Sequence, residues 1–134
     1  MYTQLVLSID DAHKMAAAAR AEAKAQGWSV VIAIVDDGGH LVYLERLDGT
    51  QKASSTIAVE KARTAIMFKR PSKVLEDAVA GGRVAIMSLS GVTPVEGGLP
   101  IVVDGQFLGA IGVSGVQSSQ DAQVARAGLE ALQG

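Results

Sequence analysis

Two hairpin signatures set among helix-patterned segments predict an α+β domain built on a mostly antiparallel sheet. The first hairpin is a β-branched run over Ser29–Val35, a turn at Asp36-Asp37-Gly38-Gly39, and a return over His40–Leu47. The second is Ile101–Val103, the turn pair Asp104-Gly105, and a return over Gln106–Ser114. Asp-Gly is a dipeptide that tolerates the positive φ of two-residue hairpin turns. A third observation places the helices. The run from Val30 to Val35 is apolar at every position rather than at alternate ones. Such a strand is buried on both faces, so helices cover both sides of the sheet. The 134 residues make one domain, 1–134.

Each element has its own local cause. Ser8 offers a hydroxyl cap, and Asp10 and Asp11 put carboxylates at the positive end of a helix dipole. Ala12–Gln26 is rich in Ala, Lys, Glu and Arg, and Gly27 is a stop signal. Ile9, Ala12, Met15, Ala16, Ala19 and Ala23 form its apolar side at helical spacing. After the first hairpin, which ends at Asp48-Gly49, Ser54 or Ser55 caps a second helix through about Phe68. Lys69-Arg70-Pro71 breaks it. Ser72 starts a short third helix, Lys73 to Ala80, stopped by Gly81-Gly82. Arg83 to Leu89 reads as a strand, and Gly91 to Pro100 as a loop. After the second hairpin, Ser118 or Ser119 caps a last helix through Leu132. The expected order is α-ββ-α-α-β-ββ-α.

Composition excludes several functions. Hydrophobic residues make up 49% and charged residues 19%, too apolar for a disordered chain. No run approaches the ~20 apolar residues of a membrane span, and Ser8, Asp10, Asp11, His13 and Lys14 interrupt any leader-like start. The expected location is therefore the cytoplasm. With no cysteine, there is neither a disulfide framework nor a thiolate site. A net charge of −2 and the lack of a basic–aromatic patch argue against nucleic acid. The chain is hydrophobic but only 4% aromatic, with 15 glycines. Small side chains allow close packing of helix on sheet and leave apolar surface for contacts between subunits.

Few residues offer chemistry. His40 stands at the rim of the first hairpin turn, and His13 one turn into the first helix. Each could be a metal or haem ligand, and His40 a general acid or base; each could equally be an ordinary surface residue. Glu60, Arg63, Thr64 and Met67 share a helix side at i, i+3, i+4 and i+7. This stripe is either a charged wall of a pocket or a solvated face with an exposed ion pair. On the first reading Glu60 and Arg63 are candidate catalytic residues of a small enzyme acting on a small acid or carbonyl metabolite, with Glu60 as acid or base and Arg63 or Lys61 holding a carboxylate. Gly109, Gly112 and Gly115 miss the spacing of the dinucleotide fingerprint, and their segment lacks the Lys-Ser/Thr pair of a phosphate loop.

Several segments together carry a resemblance over nearly the whole chain. They are Leu7–Ala12, Val35–Val42, Leu47-Asp48-Gly49, Lys61–Ala65, Gly97–Ile101, and Gly109–Gly115 followed by Gln120-Asp121. In these the chain resembles the GlcG/HbpS-like haem-binding (haem-degrading) family, related to the C-terminal domain of PduO-type proteins. The resemblance implies a profilin-like α/β/α sandwich with a five-stranded, mostly antiparallel sheet. It also implies a homo-oligomer of even order and a small-molecule ligand, haem or another tetrapyrrole. Asp36, Gly39, Glu60, Lys61, Gly97, Gly98, Pro100, Ser114 and Gln120 match its recurring motifs. By the same resemblance His13 and His40 are the candidate metal ligands, and Lys61, Gly97, Gly98 and Ser114 join them as candidate cofactor-binding positions.

Overall fold

A computed structural model of the chain describes residues 1–133. Helix α1 (Ile9–Gln26) leads into strands β1 (Val31–Asp36) and β2 (Leu41–Arg46). Helices α2 (Ser54–Met67) and α3 (Ser72–Ala80) follow, then a 3₁₀ helix over Val84–Ser88. Strands β3 (Gly98–Val103) and β4 (Gln106–Ser114) and helix α4 (Ser118–Gln133) complete the chain. The sheet has four strands in the order β2-β1-β4-β3, and all neighbours are antiparallel. The two hairpins are thus joined side by side through β1 and β4, in register from Val31–Ser114 to Asp36–Gly109.

The local signals act as expected at α1. Ser8 Oγ accepts the Asp11 N–H at 3.0 Å, and the Asp11 carboxylate reaches back to the Ser8 N–H, forming a capping box. Gly27 ends the helix at φ +76°. Strand β1 is enclosed on both faces, with Val31 to Val35 fully buried. Val30, Ile32 and Ile34 join the core beneath α1 and α4, while Val31, Ala33 and Val35 pack against α2.

Three expectations need correction. Residues 83–89 are no strand, so the sheet has four strands, not five. The Val84–Ser88 segment buries only Ile86, and its apolar run has no neighbouring strand to pair with. A short apolar run fits a strand and a helical turn equally well until a pairing partner decides. Strand β3 starts at Gly98 rather than Ile101. It lies at the sheet edge, where Pro100 withholds no needed donor. Neither Ser54 nor Ser55 caps α2. Ala53 holds that place in a helical conformation, and the Ser54 hydroxyl instead meets the Ser114 hydroxyl at 3.1 Å inside the fold.

Helix α2 sits unusually close to the sheet because the sheet is bare beneath it. Gly98 and Gly112 are register partners on β3 and β4. A Cβ on Gly98 would collide with the Lys61 carbonyl, and one on Gly112 with the Ala58 carbonyl. At Gly97, φ is +136°, and a Cβ would lie 2.7 Å from the Val113 oxygen and 2.9 Å from Lys61 Nζ. The glycines clear a channel through which Lys61 runs. Its ammonium donates to the Val113 carbonyl at 3.1 Å and to Asp121 Oδ2 at 2.9 Å. The other Asp121 oxygen accepts the Val116 N–H at 3.1 Å. Both ends of this pair are buried, with side chains 3% and 2% exposed. The pair joins α2, β4 and the first turn of α4.

These contacts set an order of sensitivity. Gly98→Ala is expected to cost about 3 kcal/mol or more, since backbone rather than a flexible side chain must move. Gly105→Ala, in the open β3–β4 turn at φ +73° with nothing within 4 Å, is expected to cost only about 1–2 kcal/mol. Urea unfolding of both variants measures the difference. Equal losses would mean that α2 does not depend on the bare strand.

Candidate functional site

The charged residues of α2 divide between the interior and a surface cleft. Glu60 and Arg63 are exposed and line a cleft of about 270 Å³ with Gly91, Val92 and Thr93. Thr93 Oγ1 donates to Glu60 Oε2 at 3.2 Å. Thr64 fastens this loop to the helix from a fully buried position. Its hydroxyl donates to the Glu60 carbonyl at 2.8 Å and accepts the Thr93 N–H at 2.9 Å.

The β1–β2 turn closes on the same helix. Asp36 Oδ1 accepts the N–H groups of both Gly38 and His40 at 2.9 Å, which fixes the turn. Gly39 is buried at φ +80°, and a Cβ there would stand 3.4 Å from Arg63 Nε and 3.6 Å from Met67 Sδ. Arg63 therefore lies along the turn. A Cβ on Gly38 would come within 3.2 Å of His40 Nε2, so the exposed imidazole folds back over that glycine. The structure thus places the turn that carries His40 against Arg63 and Met67, whereas the cleft beside Glu60 is lined by Arg63 and residues 91–93 without His40.

His13 belongs to a different face. Its exposed ring meets Tyr43 edge-on, with centroids 4.9 Å apart and planes at 84°. Tyr43 pairs with Ile34 across the sheet, on the side of α1 and α4. Beyond it Arg20 holds Glu45 through two hydrogen bonds of 2.7 and 3.0 Å. One chain therefore does not join His13 and His40 in a single ligand set. Among the described residues, no three His, Cys, Asp or Glu side chains cluster as a metal site would require.

Lys61, Gly97, Gly98 and Ser114 do come together, but in the interior between α2 and the sheet. The Ser114 hydroxyl meets that of Ser54, Gly98 stands beside the Lys61 carbonyl, and Gly97 stands beside the Lys61 ammonium. Asp121 is the partner that sequence reasoning missed. Its place in the first turn of α4 already explains a carboxylate by the helix dipole. Burial pushes the Asp121 carboxyl above its ordinary value, while Lys61 and the Val116 N–H pull the other way. Also missed was a cleft of about 500 Å³ under the N-terminal segment, lined by Gln4, Asp37, Lys69, Gln106 and Phe107 among others. Gln4 donates to Asp37 at 2.6 Å, and the Leu5 N–H to Gln106 Oε1 at 2.7 Å. No helix of the described residues is long and apolar enough to cross a membrane.

Known proteins share this architecture. The model of the family described as haem degrading protein HbpS-like matches residues 7–130. Protein GlcG of Escherichia coli K12 is 46% identical over 114 residues, which are 85% of this chain and 85% of GlcG. A crystal structure of a PduOC–haem complex superposes with a TM-score of 0.87 at 30% identity, covering 95% of each chain. A crystal structure of a double mutant of Streptomyces reticuli HbpS gives a TM-score of 0.89 at 30% identity, covering 97% of this chain and 89% of that one. With the family model spanning almost all of it and GlcG matching most of its length, the chain belongs to the HbpS-like family of haem degrading proteins.

Proposed function

We propose that the protein binds haem or another tetrapyrrole, as an even-numbered homo-oligomer in the cytoplasm. The likeness to the PduOC–haem complex across nearly the whole chain carries this reading. A haem bound here would take an imidazole nitrogen of His13 or His40 as ligand to its iron. His13 is the better held of the two histidines, because the edge contact with Tyr43 orients its ring. Ile9, one helical turn earlier and half exposed, adds an apolar contact on the same face of α1. When bound, haem supplies a redox-active iron. The chain's own part is to offer the imidazole and the apolar surface.

Assembly draws on apolar surface elsewhere. Val84, Met87 and Leu89 are exposed together around the 3₁₀ helix, and Val74 on the neighbouring α3 is exposed as well. Clustered apolar side chains of this kind mark contact surfaces more often than isolated ones do.

Titration of haemin into purified protein is expected to give a saturable Soret shift. His13→Ala should abolish the shift, and His40→Ala should keep it. A wild-type titration that does not saturate, or an unchanged shift in His13→Ala, contradicts the reading. Light scattering at micromolar concentration should give an even multiple of the 13.8 kDa chain. Met87→Asp should lower that mass, whereas a wild-type monomer would contradict the assembly.

A further inference from the structure

We infer that the cleft between α2 and the 91–93 loop binds a small monocarboxylate that carries a hydrogen-bond donor, a hydroxy acid or an amino acid. Arg63 supplies the anion-binding group. Among the described residues it enters no ion pair and donates no hydrogen bond, although Glu60 stands only three residues away. A planar guanidinium held in this state matches a carboxylate through two parallel hydrogen bonds. Glu60 supplies the complement. Its Oε2 is taken by the Thr93 hydroxyl, and its Oε1 accepts nothing from the described residues.

Glu60 also restricts the ligand class. A second negative charge beside it is disfavoured, which argues against dicarboxylates and phosphate. The preferred ligand places one carboxylate on Arg63 and one hydroxyl or ammonium on Glu60. Size adds a further limit. At about 270 Å³, the cleft is below the usual range for drug-sized ligands and cannot enclose a tetrapyrrole.

The cleft is built before any ligand arrives. The Thr64 hydroxyl, itself donating to the Glu60 carbonyl at 2.8 Å, accepts the Thr93 N–H at 2.9 Å and so ties that backbone to α2. The β1–β2 turn, itself fixed by Asp36, braces the Arg63 stem at Gly39. Walls held in this way spend little binding free energy on ordering. The site lies on the α2 side of the sheet, away from His13, and does not depend on haem binding.

The test is a ¹H–¹⁵N titration of the full chain with four probes: lactate, alanine, propionate and lactamide. Lactate or alanine should give saturable shifts at 60–64 and 91–93, and whichever responds identifies the donor as hydroxyl or ammonium. Propionate, lacking the donor, should bind at least threefold more weakly, and lactamide, lacking the charge, should not saturate. Arg63→Gln should weaken the better ligand at least tenfold while leaving the haemin titration unchanged. His13→Ala should leave the carboxylate response intact. The inference is overturned if neither lactate nor alanine saturates, if lactamide binds as well as they do, or if Arg63→Gln binds undiminished.

Discussion

A buried ammonium governs how this fold is packed. Lys61 points into the protein, and an unpaired charge there would be far too costly to keep. Three conditions make it tolerable. The Val113 carbonyl and the Asp121 carboxylate accept from it, and the second Asp121 oxygen is itself engaged by Val116. Glycines at 97, 98 and 112 leave the space that the lysine and its helix occupy. Buried pairs of this kind are weak sources of net stability, yet removing one partner is severe. Lys61 therefore acts as a registration pin. Helix α2 can sit at one height and one rotation on the sheet, or the charge loses its partners.

The surface chemistry follows from that placement. With Lys61 turned inward, Glu60 and Arg63 on the neighbouring positions face outward, where the 91–93 loop and the β1–β2 turn meet them. Thr64, inward like Lys61, uses its hydroxyl to hold that loop. The opposite face of the sheet is free to carry a separate site, with His13 braced on Tyr43 and the Arg20–Glu45 pair beside it. The low aromatic content now has a structural meaning. Alanines at 58, 62 and 65 on α2 and at 12, 16 and 19 on α1 are buried against neighbouring elements, where larger side chains would hold the layers apart.

Much of this was legible in the sequence where the cause is local. The capping box at Ser8, the stop at Gly27, both hairpin turns and the two-sided burial of β1 all depend on residues close together in the chain. What was not legible depends on distant partners. The Val84–Ser88 segment has a strand's composition but no strand to pair with, so it coils. Ser54 resembles a helix cap, yet its hydroxyl meets one sixty residues away. Lys61 reads as a candidate cofactor-binding position because nothing in α2 itself shows that glycines at 97, 98 and 112 open a channel for it. The N-terminal cleft escaped notice for the same reason, since its ties at Asp37 and Gln106 lie far along the chain.

The pinning role of Lys61 is tested most directly by a double-mutant cycle with Asp121, followed by urea unfolding. Lys61→Met and Asp121→Leu should each cost about 3–5 kcal/mol, because each strands a buried partner. The double variant should lose well under the sum, giving a coupling energy of about 2 kcal/mol or more. Additive losses, with coupling near zero, would show that the two groups do not depend on each other and that α2 is registered on the sheet by apolar packing alone.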